Sequence, residues 1–264
     1  MNLPLRAQTI LVAGLCLLLT TACTVRDPAE RNSAVPFDPY EQNNRKIHQF
    51  NLGVDRLFFR PASKGYSNFI PDPIEDSFNS FAANLSEPGD AANYVLQGDF
   101  KQAGVSVGRF LMNTTIGFAG LADPASEFGI PVTETDFGET LAVWGVKEGA
   151  YVELPFFGPS TQRDSVGVFV DFFTNPLTFA PTRPIENVGF YANALERLSA
   201  RGRYSDTIDS ILYESEDSYA VARVIYLQNR RFELEGNNGD AYVDPYATSD
   251  TDPYEDPYAD PYAE

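Results

Sequence analysis

Cysteine, histidine and positive charge are all scarce in this sequence, and each shortage removes a class of function. The only cysteines are Cys16 and Cys23, so the body of the chain holds no disulfide and no thiol nucleophile. The only histidine is His48, which has no second His or Cys with which to share a metal ion. Its place inside an amphipathic helix makes it a structural residue at or just below the surface. No Gly-x-Ser-x-Gly elbow and no nucleotide loop occurs. Carboxylate pairs such as Asp136 with Glu139, or Glu186 with Glu196, carry no weight in so acidic a chain. The expectation is therefore a protein with no enzymatic activity, no cofactor and no metal. A net charge of -18 excludes nucleic acid as a partner and disfavours electrostatic adsorption on anionic lipid. No apolar run approaches the roughly 20 residues that a membrane-crossing helix needs.

What is present starts at the N-terminus. Arg6, the apolar run "ILVAGLCLLL" and the following "TTAC" read as an export signal over residues 1–22. The end "LTTAC" resembles a bacterial lipoprotein box, in which Ala22 precedes an acylated Cys23. Thr24, where a retained inner-membrane lipoprotein carries Asp, points to the periplasmic face of the outer membrane. Several acyl chains on one cysteine anchor stably where one chain alone does not. Residues 23–37, polar and with two prolines, form a flexible tether. At the other end no Lys or Arg follows Arg231, and residues 236–264 repeat Asp-Pro-Tyr at 244, 252, 256 and 260. Proline every four residues forbids helix and central strand, so this segment is expected to be a disordered acidic tail. Calcium is disfavoured there, because each repeat is interrupted by Pro and lacks the loop Gly.

Between these ends, over residues 38–235, the periodicity is helical. Ile47, Phe50, Val54, Leu57 and Phe58 step by three and four, placing one face against something apolar. Asp72 before Pro73 starts a helix carrying Ile74, Phe78, Phe81 and Leu85; Asp90 and Asp99 are placed to cap two more. Further helices follow over 184–202 and after Ser215, and Ser160 or Thr161 caps one near Arg163 and Asp164. Strand signal is confined to one short extended segment at 150–157. Gly104 and Gly108, one turn apart, permit close helix contact. Prolines and glycines predict short rods in an all-α domain.

The stretch "RFLMNTTIGFAGLADPASEFGI" is the least usual. Residues 110–122 carry no charge and are too few to cross a bilayer as a helix, so they are either core or they meet lipid part-way.

Five blocks then carry a resemblance: "DPYEQNNRKIHQFN" (38–51), "NLSEPGDAANYVLQGDF" (84–100), "RFLMNTTIGFAGLADPAS" (109–126), "DFGETLAVWGV" (136–146) and "LPFFGPSTQRD" (154–164). In this order they are similar to the MlaA/VacJ family of outer-membrane lipoproteins. Gln42, Asn43 and Asn44 depart from the family pattern, as do Ala150 and the Asp-Pro-Tyr tail. The resemblance implies a ring-like (doughnut) arrangement of short amphipathic helices around a central channel, set in the inner leaflet of the outer membrane. It implies removal of mislocalised phospholipids from the outer leaflet and delivery to a soluble periplasmic carrier, with trimeric porins as associates. The channel or lipid path would use Phe110, Asn113, Thr114, Thr115, Ile116 and Phe118, with Gly117 and Gly120 letting backbone approach. Gly129, Pro131, Asp136 and Gly138 would belong to a gating loop. A structural lipoprotein bridging porins and periplasmic partners without moving lipid is the alternative.

Overall fold

A computed structural model describes residues 36–174 and 188–236. The export signal, Cys23, the tether up to residue 35, Glu186 and the tail from residue 237 lie outside the described residues. The chain divides into two compact units, residues 1–227 and 228–264. The first contains nearly all of the described structure and is almost wholly helical.

Helix α1 (Glu41–Val54) runs through a π-helical turn (Asp55–Phe59) into α2 (Arg60–Phe69). Its apolar stripe does not form a core: Phe50 is 47% exposed, Leu57 70% and Phe58 68%. The polar stripe Asn44, His48 and Asn51 turns inward instead. There it meets a hairpin of β1 (Tyr151–Leu154) and β2 (Gly158–Thr161), antiparallel with Tyr151 opposite Thr161. Asn44 Nδ2 donates to the Tyr151 carbonyl at 3.1 Å, and its Oδ1 accepts from the Glu153 N–H at 3.1 Å. Asn51 repeats the pattern three residues further along the hairpin, donating to the Leu154 carbonyl and accepting from Phe156 N–H. The Asn44 amide satisfies strand-edge groups that would otherwise be buried unpaired. The segment read as a single extended stretch at 150–157 is thus the first half of a hairpin whose second strand the sequence does not signal, because Gly158 and Pro159 are poor strand formers.

Helix α3 (Asp72–Gln97) is one rod of 26 residues with Pro88 inside it. The two helices expected on either side of a cap at Asp90 are therefore one. An interior proline costs about 3 kcal/mol, but α3 is buried on both sides of it, at Ala82, Asn84, Glu87, Ala91 and Tyr94, and packs chiefly on α4 (Phe100–Thr115). Packing outweighs the lost bond. Asp99 does cap α4, accepting from Gln102 N–H at 3.0 Å. Gly104 and Gly108 face open space rather than a neighbouring helix.

After a single turn α5 (Pro124–Glu127) comes α6 (Phe137–Val143), then the hairpin, then α7 (Gln162–Thr174). Thr161 caps α7, exchanging hydrogen bonds with Asp164. Helices α6 and α7 cross at Gly138 and Gly167, where a Cβ on Gly167 would stand 2.4 Å from the Gly138 nitrogen. The chain closes with α8 (Val188–Arg203), α9 (Ser205–Asp209), a second π-helical turn (Ser210–Glu214) and α10 (Ser218–Gly236). Arg201 joins the first π turn to the end of α9, bonding Asp55 through two nitrogens at 2.9 Å and Asp209 at 2.6 Å.

Candidate lipid-contact site

Burial in this fold is inverted. Among the described residues twenty buried positions are polar or charged and ten are apolar, and six of those ten are alanines. Among the described residues no Phe is fully buried, and Phe69, Phe100, Phe118 and Phe128 are all more than 70% exposed. A water-soluble interior has the opposite composition, and so large an exposed apolar surface marks contact with lipid or another protein.

The stretch between Arg109 and Ile130 shows how that surface is built. Arg109 is 2% exposed at the buried side of α4. Its Nε donates to Glu87 at 2.7 Å; its two terminal nitrogens reach the Ile130 carbonyl and Asp123, each at 2.8 Å. Asn113, also buried, donates to Asp123 at 2.9 Å and accepts from Ala125 N–H at 3.1 Å. One cation and one amide thereby fix α5 and the residues before it against α3 and α4. Burial raises the Asp123 carboxyl, but hydrogen bonds from Ser126, Arg109 and Asn113 outweigh it and hold the group below its ordinary range.

On this base the chain coils through residues 116–122. Gly117 permits the coil, since a Cβ there would stand 2.4 Å from the Ala122 carbonyl oxygen and 2.5 Å from that of Asn113. Gly120, at φ +93°, lies against the Asn84 side chain, which donates to Thr114 Oγ1. Phe118 and Ala119 take left-handed backbone conformations, φ 54° and 62°, which bulky residues adopt only when their surroundings impose them. The outcome is that Phe118 (80% exposed) and Ile116 (61%) point away from the protein on a loop held from beneath by ion pairs. Thr115 is exposed, while Phe110 and Thr114 are half-buried. Of the six residues expected along a lipid path, Asn113 differs in kind: both ends of its amide are occupied within the protein.

The expected gating residues also separate. Gly129 and Pro131 are exposed in a stretch without helix or strand. Asp136 caps α6 through Glu139 N–H at 2.7 Å, and Gly138 is buried at the α6–α7 crossing.

A second apolar patch joins the ends of α3 and α6. Trp144, the only tryptophan, is 53% exposed beside Val95, Leu96 and Val143, and its indole N–H donates to the Leu96 carbonyl at 3.0 Å. Two carboxyls on α3 and α8 are pushed toward their neutral form. Burial, then Glu87 and Glu134, lift Asp90 to about 8, and burial with Glu134 raises Glu196. Among the described residues no helix is long and apolar enough to cross a membrane, and no group of His, Cys, Asp and Glu can hold a metal.

Helices with ion pairs inside and phenylalanines outside, none of them among the described residues able to cross a membrane, define a protein whose surface suits an apolar environment. The family model of the MlaA lipoprotein matches residues 36–233, and the chain belongs to that family. It is 34% identical over 241 residues to the intermembrane phospholipid transport system lipoprotein MlaA of Escherichia coli K12, covering 90% of this chain and 92% of that one. The Haemophilus influenzae protein of the same name is 33% identical over 239 residues, covering 87% and 92%. A solved structure described as the structural basis for maintenance of bacterial outer membrane lipid asymmetry aligns with a TM-score of 0.64 at 31% identity, covering 75% of this chain and 98% of its own.

Proposed function

We propose that this chain is an outer-membrane lipoprotein, acylated at Cys23 on the periplasmic face, that takes mislocalised phospholipid out of the outer leaflet and passes it to a soluble periplasmic carrier. The observation that carries this reading is the inverted burial, with Phe118, Ile116, Phe128 and Trp144 outside and Arg109, Glu87 and Asn113 inside. The names of the relatives agree with it. Movement of a phospholipid needs a passage with polar groups for the headgroup and apolar contact for the chains, because an unpaired polar group in hydrocarbon costs several kcal/mol. In a ring of helices, Thr114 and Thr115 offer hydroxyls beside Phe110, Ile116 and Phe118, and Asn113 holds the wall in place. The stretch carrying Gly129 and Pro131 gates the passage against the fixed ends at Asp136 and Gly138. A trimeric porin sits against the exposed apolar surface. Transport itself breaks no bond.

The single tryptophan gives a direct test. Trp144 fluorescence of the full lipoprotein in bilayers containing brominated phospholipid is expected to be strongly quenched relative to unbrominated bilayers. Equal intensity in the two would contradict the lipid-facing assignment.

A further inference from the structure

Three side chains far apart in sequence meet at the start of α10. His48 Nε2 lies 3.0 Å from Ser218 Oγ, and His48 Nδ1 lies 3.2 Å from Glu153 Oε1. His48 is 3% exposed and its ring stands edge-on to Tyr219, with centroids 5.6 Å apart. Glu153 is held in turn by the Tyr151 hydroxyl, 2.5 Å from its other oxygen. A carboxylate on Nδ1 fixes the tautomer in which Nδ1 carries the proton and Nε2 presents a lone pair to the hydroxyl. Ser218 is half-buried and opens on a cavity of about 530 Å³, also lined by Arg45, Gln49, Glu216, Asp217 and Tyr219. That volume is in the range of small-molecule sites.

We propose that Ser218, His48 and Glu153 form a second site on this protein, a hydrolase centre for short, polar carboxylic esters. Nucleophile, base and orienting acid are recognised by their geometry and not by their order in the chain. Ser218 Oγ adds to the ester carbonyl carbon while its proton passes to His48 Nε2. The bond to the alcohol oxygen breaks, and the departing alcohol takes that proton from His48. Water then adds to the acyl-serine, giving a proton to His48, and Ser218 recovers it as the carboxylic acid leaves. The sum is ester plus water to acid plus alcohol, with Glu153 as the positioning residue. First-turn amides of a helix have no partner within the helix, and Tyr219, next in the chain to the nucleophile, carries one of them at the second position of α10. Asp217 is a nearby negative charge, but its two oxygens are taken up by Arg45 at 3.0 and 2.8 Å. A lining of Arg45, Gln49, Glu216 and Asp217 suits a short polar ester better than a long acyl chain, which sets this site apart from the lipid-contact surface.

The test uses the purified full lipoprotein in detergent with p-nitrophenyl acetate and a fluorophosphonate. The proposal predicts a fluorophosphonate adduct on Ser218 and a loss of kcat of about 100-fold or more in S218A and in H48Q. In E153Q, kcat falls while KM holds. S218A removes one hydroxyl and preserves the fold, so its result stands even where another variant fails to fold. Absence of the adduct, or hydrolysis equally fast in S218A, would overturn the proposal.

Discussion

Removing the guanidinium of Arg109 leaves Glu87, itself 4% exposed, as an uncompensated buried carboxylate and frees Asp123 from one of its ties. Breaking a buried pair by deleting one partner costs about 3–5 kcal/mol, so R109M is expected to lose that much in denaturant unfolding in detergent micelles. A loss under about 1 kcal/mol would show that the pair is not closed to solvent. Asp90 gives a prediction in pH. Its folded pKa, about 8, lies above the ordinary 3.8, so between these values the folded state binds a proton that the unfolded state has released. Its contribution to stability therefore falls as pH rises from about 4 to about 8 and is fully unfavourable above that. D90N is expected to flatten that part of the melting-temperature profile and to melt higher than the parent above pH 8. Parallel profiles would contradict the assignment. At this scale the sequence was least legible. The lone His48 gave no metal spacing, and its partners lie 105 and 170 positions away, where no local pattern reaches.

Elements were read more successfully where the signal was local. Asp99 and Thr161 cap helices as their positions imply. The errors arose where tertiary contact overrode a local rule, as at Pro88 inside α3, or where pairing came from the other side of the fold, as at β2. The apolar stripe of α1 and its π turn had the right period, but a period identifies a face and not what covers it. Gly117 was legible as a place for backbone approach. A Cβ there meets two carbonyl oxygens that belong to the backbone, so nothing flexible can yield. Overpacking of this kind costs roughly 1–3 kcal/mol, and G117A is expected to lower the melting temperature and open residues 116–122 to hydrogen exchange. G104A and G108A, where a Cβ meets nothing within 4 Å, are the controls, and helix propensity makes them neutral or slightly stabilising. Equal behaviour of all three would refute the coil geometry.

For the whole molecule, scarcity of cysteine, excess acid and the lipoprotein-like N-terminus narrowed the field, and five ordered blocks identified the family. The inversion of burial was not legible, because composition alone does not say on which side of a helix the protein lies. Once seen, it accounts for the many exposed Phe among the described residues, whose buried positions are mostly polar. A fold that keeps its ion pairs inside and its phenylalanines outside is stable where the surrounding medium is lipid. The most direct test of that account is the amount of phospholipid in the outer leaflet of cells lacking this chain, compared with the same cells carrying it on a plasmid. Removal of mislocalised lipid predicts a rise in the deletion strain that the plasmid reverses. Equal outer-leaflet phospholipid in the two strains would contradict transport and leave a lipid-seated scaffold.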